Sequence, residues 1–125
     1  MQTISLVTVI QRLEGVGFAA VGLWLFSFSG QSWWWFAVLI LVPDLAMLGY
    51  LRGPRIGATV YDVFHTYAAP VVLGALGWYA DSSLTLAVAF TWMVHIGVDR
   101  ALGYGLKLPS GFGDTHLGRI GRRPA

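Results

Sequence analysis

The sequence predicts an all-α integral membrane protein, a four-helix bundle in which both termini face the cytoplasm. Of its 125 residues, 56% are hydrophobic and only 11% are charged, whereas a soluble domain carries about 25% charged residues. A single domain of this size cannot hide so much apolar surface from water, so a lipid bilayer is the expected solvent. The basic residues alternate between the ends of four apolar stretches, which predicts the orientation.

The four helices are predicted from four apolar stretches, each close to the ~20 residues that cross a hydrocarbon layer. Short hydrophilic segments separate them, as expected between antiparallel helices. The predicted helices cover about 4–28, 33–51, 56–79 and 84–104, within one transmembrane domain spanning 1–125. The polar segment 105–125 has three open alternatives: a disordered tail, a turn at 114–116 that folds back onto the cytoplasmic face, or an amphipathic turn lying on anionic lipid.

Orientation follows from the positions of arginine and lysine. They precede the apolar part of the first helix, occupy the second connection, and follow the fourth helix: Arg12, Arg52, Arg55, Arg100, Lys107, Arg119, Arg122 and Arg123. The first and third connections contain none, so the positive-inside rule places both termini in the cytoplasm. The dispersed net charge of +2 argues against a nucleic-acid partner. The absence of cysteine excludes disulfides, thiolate ligands and a cysteine nucleophile.

Ionisable residues near the cytoplasmic side form the candidate site, since a charged group at membrane depth is costly and often functional. Imidazole and carboxylate together suit a divalent metal such as zinc, with iron and manganese as alternatives. His95 and Asp99 are spaced i, i+4 and share one helix face. Pro43, just before Asp44, is expected to loosen the second helix and free a carbonyl. The candidate metal ligands are His65, His95 and Asp99, followed by Asp44 and His116.

Two further carboxylates, Glu14 and Asp62, are candidate general bases for a metal-activated water. The alternative for every acid is a structural salt bridge, because arginines gather at the same level. Haem would need two axial histidines facing each other. His65 and His95 could supply them, but the nearby acids make a haem pocket less favoured than a metal site.

The leading functional hypothesis is a metal-dependent membrane hydrolase that acts on a lipid or amphiphile from the cytoplasmic side. One alternative is a non-enzymatic accessory or structural subunit of a membrane complex. Another is a proton-coupled carrier that works as a dimer. The expected partners are membrane lipid and either copies of the chain or a larger membrane complex.

Several segments carry a family resemblance: Pro43-Asp44 with Met47-Leu48-Gly49-Tyr50, Gly53-Pro54-Arg55 with Gly57, His65-Thr66-Tyr67, His95-Ile96-Gly97 with 99–107, and Gly111-Phe112 with 114–118. They resemble a bacterial membrane family, the domain of unknown function numbered 4260, over 12–121. The resemblance implies a small four-helix protein of the bacterial inner membrane and no particular activity. A looser similarity, to membrane-embedded metal hydrolases of the alkaline ceramidase type, implies His and Asp ligands near one membrane face, although this chain has fewer helices.

Overall fold

The computed structural model describes residues 5–120 and is mostly helical, with four helical segments followed by a small sheet. The first segment is α1 (Leu6–Ser27). The second is α2 (Trp33–Leu39), which continues as a 3-10 helix (Val42–Arg52). The third divides into α3 (Pro54–Phe64) and α4 (Ala68–Tyr79), and the fourth is α5 (Ser83–Ala101). Residue 4 of the predicted first helix, and Arg122 and Arg123 of the orientation argument, lie outside the described residues.

Serine residues in the connections begin three of these helices. The side chains of Ser5, Ser32 and Ser82 accept hydrogen bonds from backbone N–H groups two or three residues later. Such caps satisfy donors that have no partner within the helix. They explain why α1, α2 and α5 start directly after hydrophilic residues.

The second predicted helix, 33–51, changes type at its centre. A 3-10 helix has three residues per turn, so side chains at i and i+3 lie in straight rows. One row is an exposed apolar ridge: Val42, Leu45, Leu48 and Leu51. A second row is buried or half-buried: Pro43, Ala46 and Gly49. The third row begins with Asp44 and is thereby turned away from the ridge.

The third predicted helix, 56–79, is interrupted between Phe64 and Ala68. Pro70 lies in the first turn of α4, where a proline is tolerated because those N–H groups lack helical partners. A continuous helix would place the Pro70 ring against the carbonyl of Thr66, so the chain ends one helix and starts another. The interruption leaves His65 at the end of α3, where its side chain points into the bundle and is buried.

Helix α5 is central, and it contacts α1 through glycine residues. A Cβ atom added at Gly15 would lie 2.6 Å from the carbonyl oxygen of Gly97, and one added at Gly97 would lie 2.6 Å from that of Gly15. The two backbones are therefore in direct contact, as small residues permit between membrane helices. Helices α2 and α4 also pack on α5.

The C-terminal segment forms an antiparallel sheet of β1 (Lys107–Leu108), β2 (Gly111–Thr115) and β3 (Gly118–Arg119), in that order. It packs on α3, where Asp62 Oδ1 accepts a hydrogen bond from the Lys107 N–H at 2.5 Å. The Lys107 ammonium lies 3.9 Å from the centre of the Phe112 ring. The all-α prediction omitted this sheet. Of the alternatives for the tail, the folded-back one describes residues 107–119, which return to α3.

Two segments within residues 5–120 are long and apolar enough to cross a membrane, Leu6–Ser27 and Trp33–Arg52. Only 11% of either apolar window is buried inside the molecule. The core helix of a soluble protein is mostly buried, and these two segments are not.

Candidate metal centre

Four of the seven predicted site residues converge at one point. Asp44 comes from the 3-10 helix, His65 from the end of α3, and His95 and Asp99 from α5. One ligand atom from each lies within 4.8 Å of the other three. The two histidines are buried, whereas the carboxylates of Asp44 and Asp99 are partly exposed. The bundle thus brings three helical segments to a single polar centre.

The spacing of these atoms is close to that of ligands around one metal ion. The two imidazole Nε2 atoms are 3.2 Å apart. Asp44 Oδ1 lies 3.4 Å from His65 Nε2 and 3.1 Å from His95 Nε2. Asp99 Oδ2 lies 3.5 Å and 3.2 Å from the same two nitrogens. Ligands about 2.1 Å from a tetrahedral zinc ion lie about 3.4 Å from one another, so these distances are ones that ligands of a shared ion can have.

The protons on the two histidines are fixed by backbone carbonyls. His65 Nδ1 lies 2.8 Å from the carbonyl oxygen of Tyr61, and His95 Nδ1 lies 2.5 Å from that of Ile40. A carbonyl oxygen only accepts, so each Nδ1 carries the proton and donates. In the neutral imidazole, Nε2 then offers a lone pair, and both lone pairs belong to the converging set.

With both imidazoles neutral, the centre contains four acceptors and no donor of its own. Asp99 Oδ2 is buried and has no hydrogen-bond partner among residues 5–120. A buried polar atom left without a partner costs about 1–3 kcal/mol, and more when it is charged. A divalent cation would neutralise both carboxylates and accept both lone pairs at once. Neutral imidazole and carboxylate are ligands that zinc, iron and manganese accept.

The carbonyl that orients His95 is available because of Pro43. In a 3-10 turn the N–H of residue 43 would bond to the carbonyl of residue 40, but proline has no N–H. The next N–H, that of Asp44, bonds to Leu41 instead, at 3.0 Å. The prediction that Pro43 frees a carbonyl is confirmed. Such contacts behind the ligands fix the tautomer and the ring orientation of metal-bound histidine.

The arginines do not neutralise this cluster. Arg100 Nη2 donates to the carbonyl oxygen of His65 at 3.0 Å, and Arg12 Nε donates to that of Ala101 at 2.9 Å. In the described part of the chain, the ion-pair partners of Asp44 and Asp99 are the two histidines. The arginine version of the salt-bridge alternative is therefore not what the structure has, whereas histidine–carboxylate pairing and a metal site both fit these contacts.

The other three predicted site residues lie apart from the cluster. His116 lies in the turn after β2, with its Nε2 3.1 Å from Arg100 Nη1 and its Nδ1 accepting from Leu106 N–H at 2.7 Å. Asp62 accepts from the N–H of Lys107. Glu14 is exposed on α1. The structure does not bring these side chains to the four converging residues.

Two features of the centre were predicted only in part from the sequence. The carbonyl of Ile40 as the partner of His95 could be anticipated only in part, because Pro43 signals a free carbonyl but not its partner. The Tyr61 ring stacks on the His65 ring at 3.7 Å, which the i, i+4 spacing allowed but did not require.

The fold and the cluster define a small helical protein with two apolar spans and a His/Asp group that can hold a metal ion. The family model for the Domain of unknown function (DUF4260) matches residues 8–120, and the chain belongs to this family. Neither a curated protein nor a solved structure matches the chain.

Proposed function

We propose that the chain is a multi-pass protein of the bacterial inner membrane that binds a divalent metal ion and uses it to hydrolyse a lipid or amphiphile. Four crossings, with both termini in the cytoplasm, are supported by the alternation of basic residues along the sequence. Exposed large side chains at the opposite end support it too, with Trp78 and Tyr79 80% and 91% exposed. Such aromatic residues are typical of membrane interfaces.

One observation supports the metal more than any other. Two imidazole lone pairs and two carboxylate oxygens converge within 4.8 Å, while both Nδ1 protons are already committed to carbonyls. Zinc is the preferred ion, because the donors are imidazole nitrogen and carboxylate oxygen, at separations that suit its coordination distances. The ion would be held by Asp44, His65, His95 and Asp99.

A bound zinc ion would act as a Lewis acid and lower the pKa of a coordinated water to about 7. Asp44 is the most exposed of the four, with 34% of its side chain accessible, so it marks the side from which water and substrate would approach. The predicted general bases, Asp62 and Glu14, lie apart from these four residues, so neither could act on such a water without moving, and Asp62 would also have to release the N–H of Lys107.

A second candidate is a structural metal site in a non-enzymatic subunit. It is favoured by the number of protein donors, since structural zinc sites have four and catalytic zinc sites usually have three plus water. Four donors complete a tetrahedral shell unless the ion accepts a fifth ligand.

Metal content tests the site itself. Elemental analysis of detergent-purified protein should find about one zinc, iron or manganese ion per chain. The double variant His65→Ala/His95→Ala should lose it, and His116→Ala is the matched control that should keep it. Wild-type protein without stoichiometric metal would overturn the proposal.

Cobalt substitution separates the two candidates. Azide should change the visible spectrum of the Co²⁺ protein if the ion has an open position, and leave it unchanged if the shell is closed. Release of fatty acid from vesicles by the zinc protein, abolished in His95→Ala, would support the hydrolase. A closed shell without release would support the structural site.

A further inference from the structure

An apolar cavity of about 450 Å³ is lined in part by the sequence neighbours of Asp44 and His65. One wall is the 3-10 helix, through the buried row of Pro43, Ala46 and Gly49 and through Leu45 and Leu48 of the ridge. The volume is in the usual range for small-molecule sites, which is about 300–1,000 Å³. Such sites normally carry a few polar groups for orientation, and this cavity offers none from its lining side chains apart from one indole.

That indole belongs to Trp92, whose N–H is already used. Trp92 Nε1 donates to the carbonyl oxygen of Phe64 at 2.6 Å. The opposite wall, which includes Val60 and Val88, is otherwise hydrocarbon. A ligand in this space gains no hydrogen bond, so the chemistry that fits is an alkyl chain.

Residues that line the cavity are adjacent in sequence to residues of the candidate metal centre. Asp44 lies between the lining residues Pro43 and Leu45, and His65 directly follows the lining residue Phe64. Neighbouring Cα atoms are about 3.8 Å apart. The row geometry of the 3-10 helix directs two rows to the cavity and the Asp44 row to the centre. A molecule with an apolar end and a polar end could therefore contact both.

The cavity also opens on the outer surface of the bundle. Leu45 and Leu48 line it and are nevertheless 62% and 63% exposed. On a protein embedded in lipid, such an opening faces acyl chains rather than water. The entry route for a hydrocarbon chain is therefore lateral, from the bilayer.

We propose that this cavity binds the hydrocarbon chain of a membrane amphiphile whose polar head lies at the centre formed by Asp44, His65, His95 and Asp99. The inference deepens the proposed function and rests on it for the role of the head. It assigns the substrate class as a chain-bearing lipid with a head that can coordinate a metal ion.

The probes are dodecanohydroxamic acid, which has a chelating head, and dodecanamide, which has the same chain length and a weakly coordinating head. Saturable binding of each is measured on the protein in lipid nanodiscs, with empty nanodiscs subtracted. Val88→Trp fills the cavity from α5. Val72→Trp is the matched control, because Val72 is an exposed valine on α4 that does not line the cavity.

Val88→Trp should weaken the binding of both probes by about tenfold or more, which corresponds to losing the burial of roughly two methylene groups. Metal content should be unchanged, and Val72→Trp should bind like the wild type. Equal binding by Val88→Trp and Val72→Trp would overturn the chain site. If Val88→Trp does not fold, Leu48→Trp makes the same test from the exposed ridge.

The two probes separate this inference from the proposed function. Metal at the centre predicts that the wild type prefers the hydroxamate, and that removal of the metal abolishes the preference. If the wild type holds no metal and binds both probes equally, the proposed function fails. A loss of both probes in Val88→Trp would then still establish the chain site, with the head bound by the polar residues alone.

Discussion

The two sides of α5 differ in how they pack. Towards α1 the backbones touch through Gly15 and Gly97, with no room for a methyl group. Towards the 3-10 helix and α3, the same helix borders a cavity and a set of buried acceptors. Gly97 lies between His95 and Asp99 in sequence, and its side of the helix is nearly opposite to theirs. The close packing of α5 on α1 therefore holds the helix in place, while the opposite face of α5 carries the candidate metal ligands.

The largest expected effect is on the tight side. Gly15→Ala should lower the free energy of unfolding by about 3 kcal/mol, because its Cβ would meet backbone atoms of α5 that cannot move aside. Gly17→Ala is the control on the same helix, since a Cβ there meets nothing within 4 Å. It should be neutral or raise stability by up to about 1 kcal/mol. Thermal unfolding in detergent measures both, and equal losses would disprove the close seam.

The next-largest effect on stability concerns the side of α5 that faces the cavity and the buried acceptors, and it depends on bound metal. With zinc about a hundredfold above its Kd, binding should raise the free energy of unfolding by about 2.7 kcal/mol. Asp99→Asn should then be less stable than the wild type, because a charged ligand is lost. After chelation the order should reverse, because the variant removes the charge of a carboxylate whose buried Oδ2 has no hydrogen-bond partner among the described residues. Calorimetry with and without chelator checks the reversal; one fixed order would count against a metal site.

A smaller effect is expected where the sheet joins α3. Asp62→Ala removes the acceptor of the Lys107 N–H and should cost about 1.5 kcal/mol, as a hydrogen bond to a charged group does. Hydrogen exchange should increase in β1 and β2 while α1 and α5 stay protected. Ser110→Ala is a control in the turn between β1 and β2, which removes a hydrogen bond to Asp114 and leaves the Asp62 contact intact. Increased exchange throughout the bundle would show that the sheet is not a separate unit.

The smallest effect is a pH dependence of the turn after β2. Partial desolvation and the adjacent Arg100 guanidinium lower the pKa of His116, outweighing nearby Asp62. Because the folded pKa lies below the unfolded value of about 6.5, the unfolded state binds the proton first, and stability is lost as the pH falls below about 6.5. Protonation also removes the acceptor for Leu106 N–H.

Exchange of the Leu106 amide, followed from neutral to mildly acidic pH, measures this effect. The Leu106 amide should lose protection, relative to its intrinsic exchange rate, as the pH falls. This loss should be weaker in His116→Asn, whose amide oxygen keeps an acceptor without titrating. An identical pH profile in the variant would assign the dependence to other groups.

The sequence was sufficient for the helical segments, because four apolar stretches separated by hydrophilic residues leave few alternatives. It was also sufficient to pair His95 with Asp99, since both lie on one face of one helix. The meeting of His65 with His95 depends on packing across 30 residues of chain, which no local pattern encodes. Pro43 led to the prediction of one loosened helix. Pro70 marks the second interruption, which was not predicted from it.

The small sheet and the position of His116 were beyond local patterns. Strands of two residues, such as Lys107–Leu108 and Gly118–Arg119, are too short to show alternation. His116 has the residue type and the sequence position of a ligand. Its partners, Arg100 and the N–H of Leu106, become visible only when the tail folds back.

The 3-10 helix has a consequence for which insertions and deletions the chain can accept. Because a 3-10 helix has three residues per turn, the side-chain rows of the segment Val42–Arg52 keep their directions only when residues are inserted or deleted in threes. Deleting one residue after Asp44 would exchange the rows beyond that point, bringing Arg52 onto the apolar ridge and moving the cavity residues between 45 and 49. Deleting three would keep all rows and shorten the segment by about 6 Å. Relatives of this chain should therefore vary in length here in steps of three, a rule that the 3.6-residue repeat of an α-helix does not impose.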